Sequence, residues 1–447
     1  MANIDWQTVQ QELVGLEIIS EPNSLARLSL DYFHFSPILK KLLENKRGDL
    51  VVRPINEAEV IKIAKICVKH RIALTVRGAG TGNYGQAVPL EGGIILDTTH
   101  LNKIIELSSG LARVESGCRM ASIDRETQKL GWELRMIPST YQSASIGGFI
   151  GGGSVGSGSL NYGLIKELGN VRMVRLVTLE DEPRIIELRG KDIEKVMHAY
   201  GTNGIITEIE LPLAPAYNWR EIIVVFPNLM QAAYFGQALA QCDGIIKKSV
   251  TVFGDPIPSY FKALENYLPK GCSCALLAVE ESNLEFLKVL IDQYEGAISY
   301  NKGSSSISLL EFTWNHTTLL ARTINSNLTY LQVVYFDLNT VEDLYKKFAR
   351  ELFIHLEFIR IEGKVIPTGL PLVQFTSEQR LEEIIKYHKE HGATIANPHT
   401  YFIEDGGTGD IDPAQIDFKK LVDPYGLMNP GKIRAYIDIA NLPEALT

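Results

Sequence analysis

Apolar positions along the chain follow two rhythms, one spaced for strands and one for helices. Apolar runs at 50 to 53, 73 to 77 and 93 to 97 predict strands, and between the first two, positions 60, 61, 63, 64, 67 and 68 recur at helical spacing. Asn56 stands where a cap is needed, which places that helix over 57 to 70. Residues 104 to 107 and 111 to 116 flank a Ser-Ser-Gly turn and predict a hairpin, and a helix over 119 to 130 stops at Gly131. Strands over 170 to 179 and 184 to 189 join through an acidic turn. A short helix over 191 to 200 and a strand over 204 to 211 follow, with Pro212 and Pro215 marking its exit.

From Trp219 the rhythm changes. Strands are expected at 220 to 226, 245 to 253, 272 to 279, 307 to 312, 328 to 336, 356 to 361 and 364 to 375. Helices are expected near 228 to 242, 257 to 267, 283 to 295, 315 to 323, 340 to 352 and 377 to 391. Such short alternating pieces suggest an α+β unit with a largely antiparallel sheet.

Two glycine-rich stretches interrupt these rhythms. The first is Arg77-Gly-Ala-Gly-Thr-Gly-Asn-Tyr-Gly-Gln86, and the second runs from Ser145 to Gly158, where seven of the twelve residues from Gly147 onward are glycine. Glycine reaches positive φ and brings the backbone N–H close to a ligand, and successive N–H groups form an anion-binding nest, so a diphosphate is the expected guest. Gly80, Gly82 and Gly85 spell a G-x-G-x-x-G, and Asp97 follows where a ribose-binding acid would stand. A Rossmann site needs that motif to open a helix. Residues 86 to 93, with a proline and two adjacent glycines, do not allow one.

The same residues resemble the flavin-binding domain shared by vanillyl-alcohol oxidase, p-cresol methylhydroxylase and the D-2-hydroxy acid dehydrogenases. Arg77-Gly-Ala-Gly-Thr81 is similar to that family's Arg-Gly-Gly-Gly-Thr-like loop, and Ala144-Ser-Ile-Gly-Gly148 to its Ala-Thr-Ile-Gly-Gly. Val51-Val-Arg-Pro54, Asn161-Tyr-Gly163, Gly201-Thr-Asn-Gly-Ile-Ile-Thr-Glu208 and Val422-Asp-Pro-Tyr-Gly-Leu-Met-Asn-Pro-Gly-Lys432 match further segments in the family's order. The resemblance covers about residues 20 to 215 and returns near the far end.

It implies an α+β fold: a two-subdomain FAD-binding domain of p-cresol methylhydroxylase type plus an α+β cap domain with an antiparallel sheet. The expected divisions are a lead-in over 1 to 45, the FAD domain over 46 to 216, the cap over 217 to 420, and a segment returning to the FAD domain over 421 to 447. Arg77, Gly78, Ala79, Gly80, Thr81, Gly82 and Asn83 of the first loop would bind FAD, with Ser145, Gly147, Gly148, Gly151 and Gly156 of the second. Pro138, Ser139, Tyr162, Ile205 and Ile206 complete the implied site. The family often attaches its flavin through a loop histidine; Thr81 stands there and none of the nine histidines lies in the loop, so FAD is expected to be noncovalent.

For catalysis the resemblance points to His399 in Gly392-Ala-Thr-Ile-Ala-Asn-Pro-His-Thr400, similar to a segment whose histidine acts near the flavin. Pro398 replaces the metal-binding glutamate, and Gly363 to Val373 lacks the family's metal-binding histidines, so no metal is expected. Asn429 would reach the active site, or else simply form an Asn-Pro-Gly turn. In Trp314-Asn-His-Thr-Thr318, His316 and Asn315 would line a substrate pocket, or Asn315 caps a helix while Trp314 packs in the core. Arg322 and Arg360 are the cap arginines available to a substrate carboxylate.

Three readings follow. The first is hydride transfer from a D-2-hydroxy acid to flavin N5, with His399 taking the hydroxyl proton and an unknown electron acceptor. The second is oxidation of a neutral or aromatic alcohol, and the third a noncatalytic flavin-carrying subunit of a redox complex; a homodimer is also open. A net charge of −9 gives no basic face for nucleic acid. Five cysteines without a C-x-x-C imply neither zinc nor a disulfide framework, and no stretch of about eighteen apolar residues would span a membrane. A cytoplasmic location is therefore expected.

Overall fold

The computed structural model describes residues 4–153, 155–303, 308–407 and 411–436. Three strands, Leu50–Arg53, Ile94–Asp97 and Leu74–Arg77, pair in parallel, and Glu17–Ile19 adds an antiparallel edge. The helix Glu57–His70 covers this sheet as its sequence dictates. Asn56 accepts from the Glu59 amide, the buried face carries Val60, Ile63, Ala64, Cys67 and Val68, and Arg71 ends it in a left-handed conformation. A second sheet runs Ile104–Ser108, Leu111–Glu115, Ile205–Pro215, Met173–Val177, Ile185–Arg189, all antiparallel, with Trp132–Leu134 joining the end of the long strand.

That long strand crosses Pro212 and ends on Pro215 instead of stopping before them. Its pairing with Met173–Val177 ends at Glu210 and its pairing with Trp132–Leu134 begins at Leu213. Pro212 thus has a neighbour on one side only, so its missing N–H breaks no ladder.

From Trp219 an eight-stranded antiparallel sheet takes over, in the order Ala297–Gly303, Trp219–Phe226, Ser273–Glu280, Lys247–Phe253, His355–Ile361, Lys364–Gly369, Gln332–Val334, Thr394–Ala396. Helices Leu229–Gln241, Leu284–Gln293, Leu338–Lys347 and Glu378–Glu390 bury apolar faces in its core. The run expected as one strand over 328 to 336 is two, because the Leu331 amide turns to the Pro371 carbonyl and Leu328–Tyr330 joins a separate three-stranded sheet. Residues expected as a helix over 257 to 267 form two 3-10 turns. Those at Leu309–Phe312 form another turn rather than a strand. Among the described residues, no helix is long and apolar enough to cross a membrane.

Candidate active site

An elongated cavity runs between the two glycine stretches and opens against the cap sheet. Its floor is the first stretch, where no helix forms between Arg77 and Ile94, as the Rossmann exclusion requires. Asp97 is used elsewhere, accepting from Arg53 Nε at 2.8 Å and from the Thr99 amide. Among the described residues, none of the backbone N–H groups of 79 to 83 donates to a protein acceptor, and all five residues line the cavity. Gly80 sits at φ +67°, and a Cβ there would fall 2.0 Å from an Arg77 guanidinium nitrogen. Arg77 itself lies under the loop, donating to the Leu30 carbonyl, and does not line the cavity.

The second stretch corrects the expectation of a loop: it begins as a short helix, Ile146–Gly152, with Ser145 as cap and the Gly148 amide donating to its Oγ. The glycines serve to bring this helix backbone to the cavity wall. Gly147 is pressed on Ser116, 2.7 Å from where a Cβ would stand, while a Cβ on Gly151 would meet nothing within 4 Å. Ser116 lines the cavity with a buried hydroxyl that has no partner. Unused amides, an orphan hydroxyl and side-chain-free backbone fit a diphosphate-bearing cofactor. Gly151→Val should therefore leave unfolding free energy within about 1 kcal/mol, while FAD affinity falls about 10- to 100-fold in a fluorescence titration of the apoprotein.

Of the other residues expected at FAD, Gly78, Pro138, Ser139, Ser145, Gly147, Gly148, Gly151 and Ile206 line the cavity. Gly156, Tyr162 and Ile205 do not. Gly156 packs on the Ile137 carbonyl, Tyr162 lines a separate polar recess near Trp219, and Ile205 belongs to the core under the parallel sheet.

The catalytic expectations change more. His399 is 5% exposed and absent from the cavity wall. Its Nδ1 lies 2.8 Å from the Ser36 hydroxyl and its Nε2 3.0 Å from the Tyr330 carbonyl, which can only accept. The imidazole is thus an Nε2–H tautomer with both nitrogens engaged, and burial pushes its pKa down to about 4. His399 is a neutral structural strut here, not a proton acceptor at the cavity. His316 is also off the wall, whereas its neighbours Trp314 and Asn315 are on it. Asn429 works from behind: its amide nitrogen donates to the Gln86 and Tyr200 carbonyls and ties the first glycine stretch to Tyr200.

Tyr200 was not legible as a site residue. Both it and His198 line the cavity at positive φ, 49° and 52°, held by the Gly151 and Ile150 carbonyls. Non-glycine residues are strained in that region, and such strain clusters at functional sites. The Tyr200 hydroxyl lies 3.5 Å from His198 Nε2, and burial pushes the His198 pKa to about 4, so the ring is neutral near pH 7. Tyr84, in the first glycine stretch, donates to Gln332 Oε1 of the cap and closes the cavity's far side. Arg322 and Arg360 stay away from it, turned to the Leu328 carbonyl and to Asp243 with the Leu160 carbonyl respectively. Among the described residues, no group of three or more His, Cys, Asp or Glu side chains is arranged to hold a metal ion.

Comparison with known proteins bears on what this cavity holds. The profile of the FAD binding domain family matches residues 48–185. These residues form an FAD-binding domain, and the chain resembles the FAD-linked oxidases of vanillyl-alcohol oxidase and p-cresol methylhydroxylase type. This flavoprotein is 24% identical over 437 residues to a glycolate oxidase subunit GlcD of Bacillus subtilis, covering 87% of this chain and 89% of that one. It is 28% identical over 196 residues to a D-lactate dehydrogenase of Anaerostipes hadrus, a match spanning 41% of this chain and 40% of the relative. An alkyldihydroxyacetonephosphate synthase structure superposes with a TM-score of 0.72 at 14% identity, covering 95% of the flavoprotein and 85% of that chain, a likeness of fold. The flavoprotein is an FAD-dependent oxidoreductase whose mixed fold carries the p-cresol methylhydroxylase-type FAD domain.

Proposed function

We propose that the flavoprotein oxidises the carbinol carbon of a small uncharged alcohol. One observation carries the choice of substrate charge: among the described residues, the cavity wall has neither arginine nor lysine. The positions outside the description, 1–3, 154, 304–307, 408–410 and 437–447, contain neither residue as well. A buried substrate carboxylate would stand unpaired, at a cost that such sites normally offset with a fixed guanidinium. Bound FAD supplies the oxidising equivalent, accepting two electrons and a hydrogen from the substrate C–H. The hydroxyl proton then passes to the Tyr200 oxygen as the Tyr200 hydroxyl gives its own proton to the neutral His198 Nε2, 3.5 Å away, a relay supported by both side chains lining the cavity.

A D-2-hydroxy acid is the second reading. It is favoured by the names of the relatives, glycolate oxidase and D-lactate dehydrogenase. Two ligands that share a phenyl ring and a carbinol separate the readings: 1-phenylethane-1,2-diol is neutral and mandelate carries a carboxylate. Anaerobic mixing with the diol should bleach the flavin, and Tyr200→Phe should slow that bleaching about 100-fold with FAD still bound. Bleaching by mandelate alone would reverse the order of the two readings. The GlcD relative is named a subunit, and a partner chain or self-association of this protein is read out by its mass in solution.

A further inference from the structure

The cap contributes one wall of the cavity, and most of its polar groups are already engaged. Gln332 Oε1 accepts from Tyr84, and the Thr368 hydroxyl is turned to the Val333 carbonyl at 2.5 Å. Two adjacent residues differ. Trp314 is 8% exposed, lines the cavity, and its indole N–H has no partner; the Asn315 side-chain oxygen, on the same wall, has none either. A buried polar atom left without a partner is expensive unless a ligand supplies one.

Trp314 is held in this position against its own backbone preference. It opens the helix Trp314–Ile324 at φ +49°, a region that bulky side chains rarely occupy. Its backbone N–H donates at 3.0 Å to Glu357 Oε1 on the neighbouring cap strand. The Glu357 carboxylate is 1% exposed and also accepts from the Thr251 hydroxyl at 2.6 Å and from His355 Nε2 at 2.9 Å. Three donors on two strands and a helix start thus fix one carboxylate, and the carboxylate holds the Trp314 backbone from which the indole projects. Strain retained by a buried anchor, with the side chain's polar atom left free, is the arrangement of a ligand contact.

We propose that Trp314 Nε1–H and the Asn315 amide oxygen form the substrate-reading pair of the cap, taking a hydroxyl group of an uncharged alcohol as acceptor and donor. A hydroxyl can accept from the indole N–H and donate to the amide oxygen, whereas a carboxylate can only accept and would leave the Asn315 oxygen without a donor. The inference rests on the reading of the cavity as an alcohol-oxidising site. Its test reads binding and not turnover. In the full-length holoprotein, 1-phenylethane-1,2-diol should perturb the flavin absorbance at lower concentration than mandelate. Trp314→Phe, which keeps the ring, and independently Asn315→Leu should each raise the diol dissociation constant about 10-fold, with FAD content and melting temperature unchanged.

Unchanged diol binding in both variants overturns the proposal, as does tighter binding of mandelate or no perturbation by the diol. Loss of FAD from Trp314→Phe would assign the indole to the flavin and overturn it too. Weakened diol binding in the variants, with no anaerobic bleaching in the unaltered protein, would keep the pair and remove the oxidation reading. Bleaching by the diol that neither variant affects would do the reverse.

Discussion

Lowering the pH from 6.5 towards 4 is expected to remove roughly 3 kcal/mol of stability at His399, and a similar amount at His198. Both rings have pKa values pushed down to about 4 by burial, from an ordinary value of 6.5, and Lys166 adds to the effect at His198. A group whose folded pKa is depressed contributes stability that is present above its unfolded value and lost as pH falls through the folded one. The window is therefore 6.5 to 4. The mechanism at His399 is specific: a second proton would have to sit on Nδ1, against the Ser36 hydroxyl that now donates to it and also accepts from the Leu39 amide. Denaturant unfolding of the unaltered protein and of His399→Gln across this window checks the point. Glutamine can donate to Tyr330 and accept from Ser36 without titrating, so its curve should be flatter by about half; an unaltered slope would refute the assignment.

Glu357→Leu is expected to destabilise the protein by about 3 kcal/mol or more, since the Trp314 amide, the Thr251 hydroxyl and His355 Nε2 would each lose a buried acceptor. His355 would be left with neither nitrogen bonded, because its Nδ1 already lacks a partner. Glu357→Gln keeps one carbonyl acceptor and should lose only about 1 to 2 kcal/mol. Chemical denaturation separates the two. Equal losses would mean that the pocket around Glu357 relaxes, and that the left-handed turn at Trp314 does not depend on the carboxylate.

What the chain shows in advance follows from how local each cause is. Asn56 and the apolar positions of Glu57–His70 act within one helix, and that helix forms where its pattern places it. The first glycine stretch is equally local, since a proline and paired glycines forbid a helix whatever surrounds them. By contrast, the run through Pro212 depends on which neighbouring strand has ended, and the break at Leu331 on a carbonyl at Pro371. His399 misled for a related reason. The segment around it resembles one whose histidine acts near a flavin, but here the ring is closed in by Ser36 and by Tyr330, residues far away in sequence. His198 and Tyr200 carry no local mark of their positive φ, which Ile150, Gly151 and Asn429 impose from other segments.

The first glycine stretch is gripped from both directions along the chain. Tyr32 donates to the Gly82 carbonyl, while Asn429 and Lys432 donate to those of Gln86 and Gly85, the Asn429 bond closing across 343 residues. Leu74, at the start of the strand that leads into it, exchanges backbone bonds with Leu427 and Asn429. During synthesis the parallel strands and their helix emerge early, but the loop between them lacks its last restraints until residue 432 has left the ribosome. Ordering a loop of that span is entropically unfavourable and slow. Cofactor capture is thereby tied to residues far along the chain: the strands and helix of the FAD fold are made well before Asn429 and Lys432, which complete the grip on the first glycine stretch.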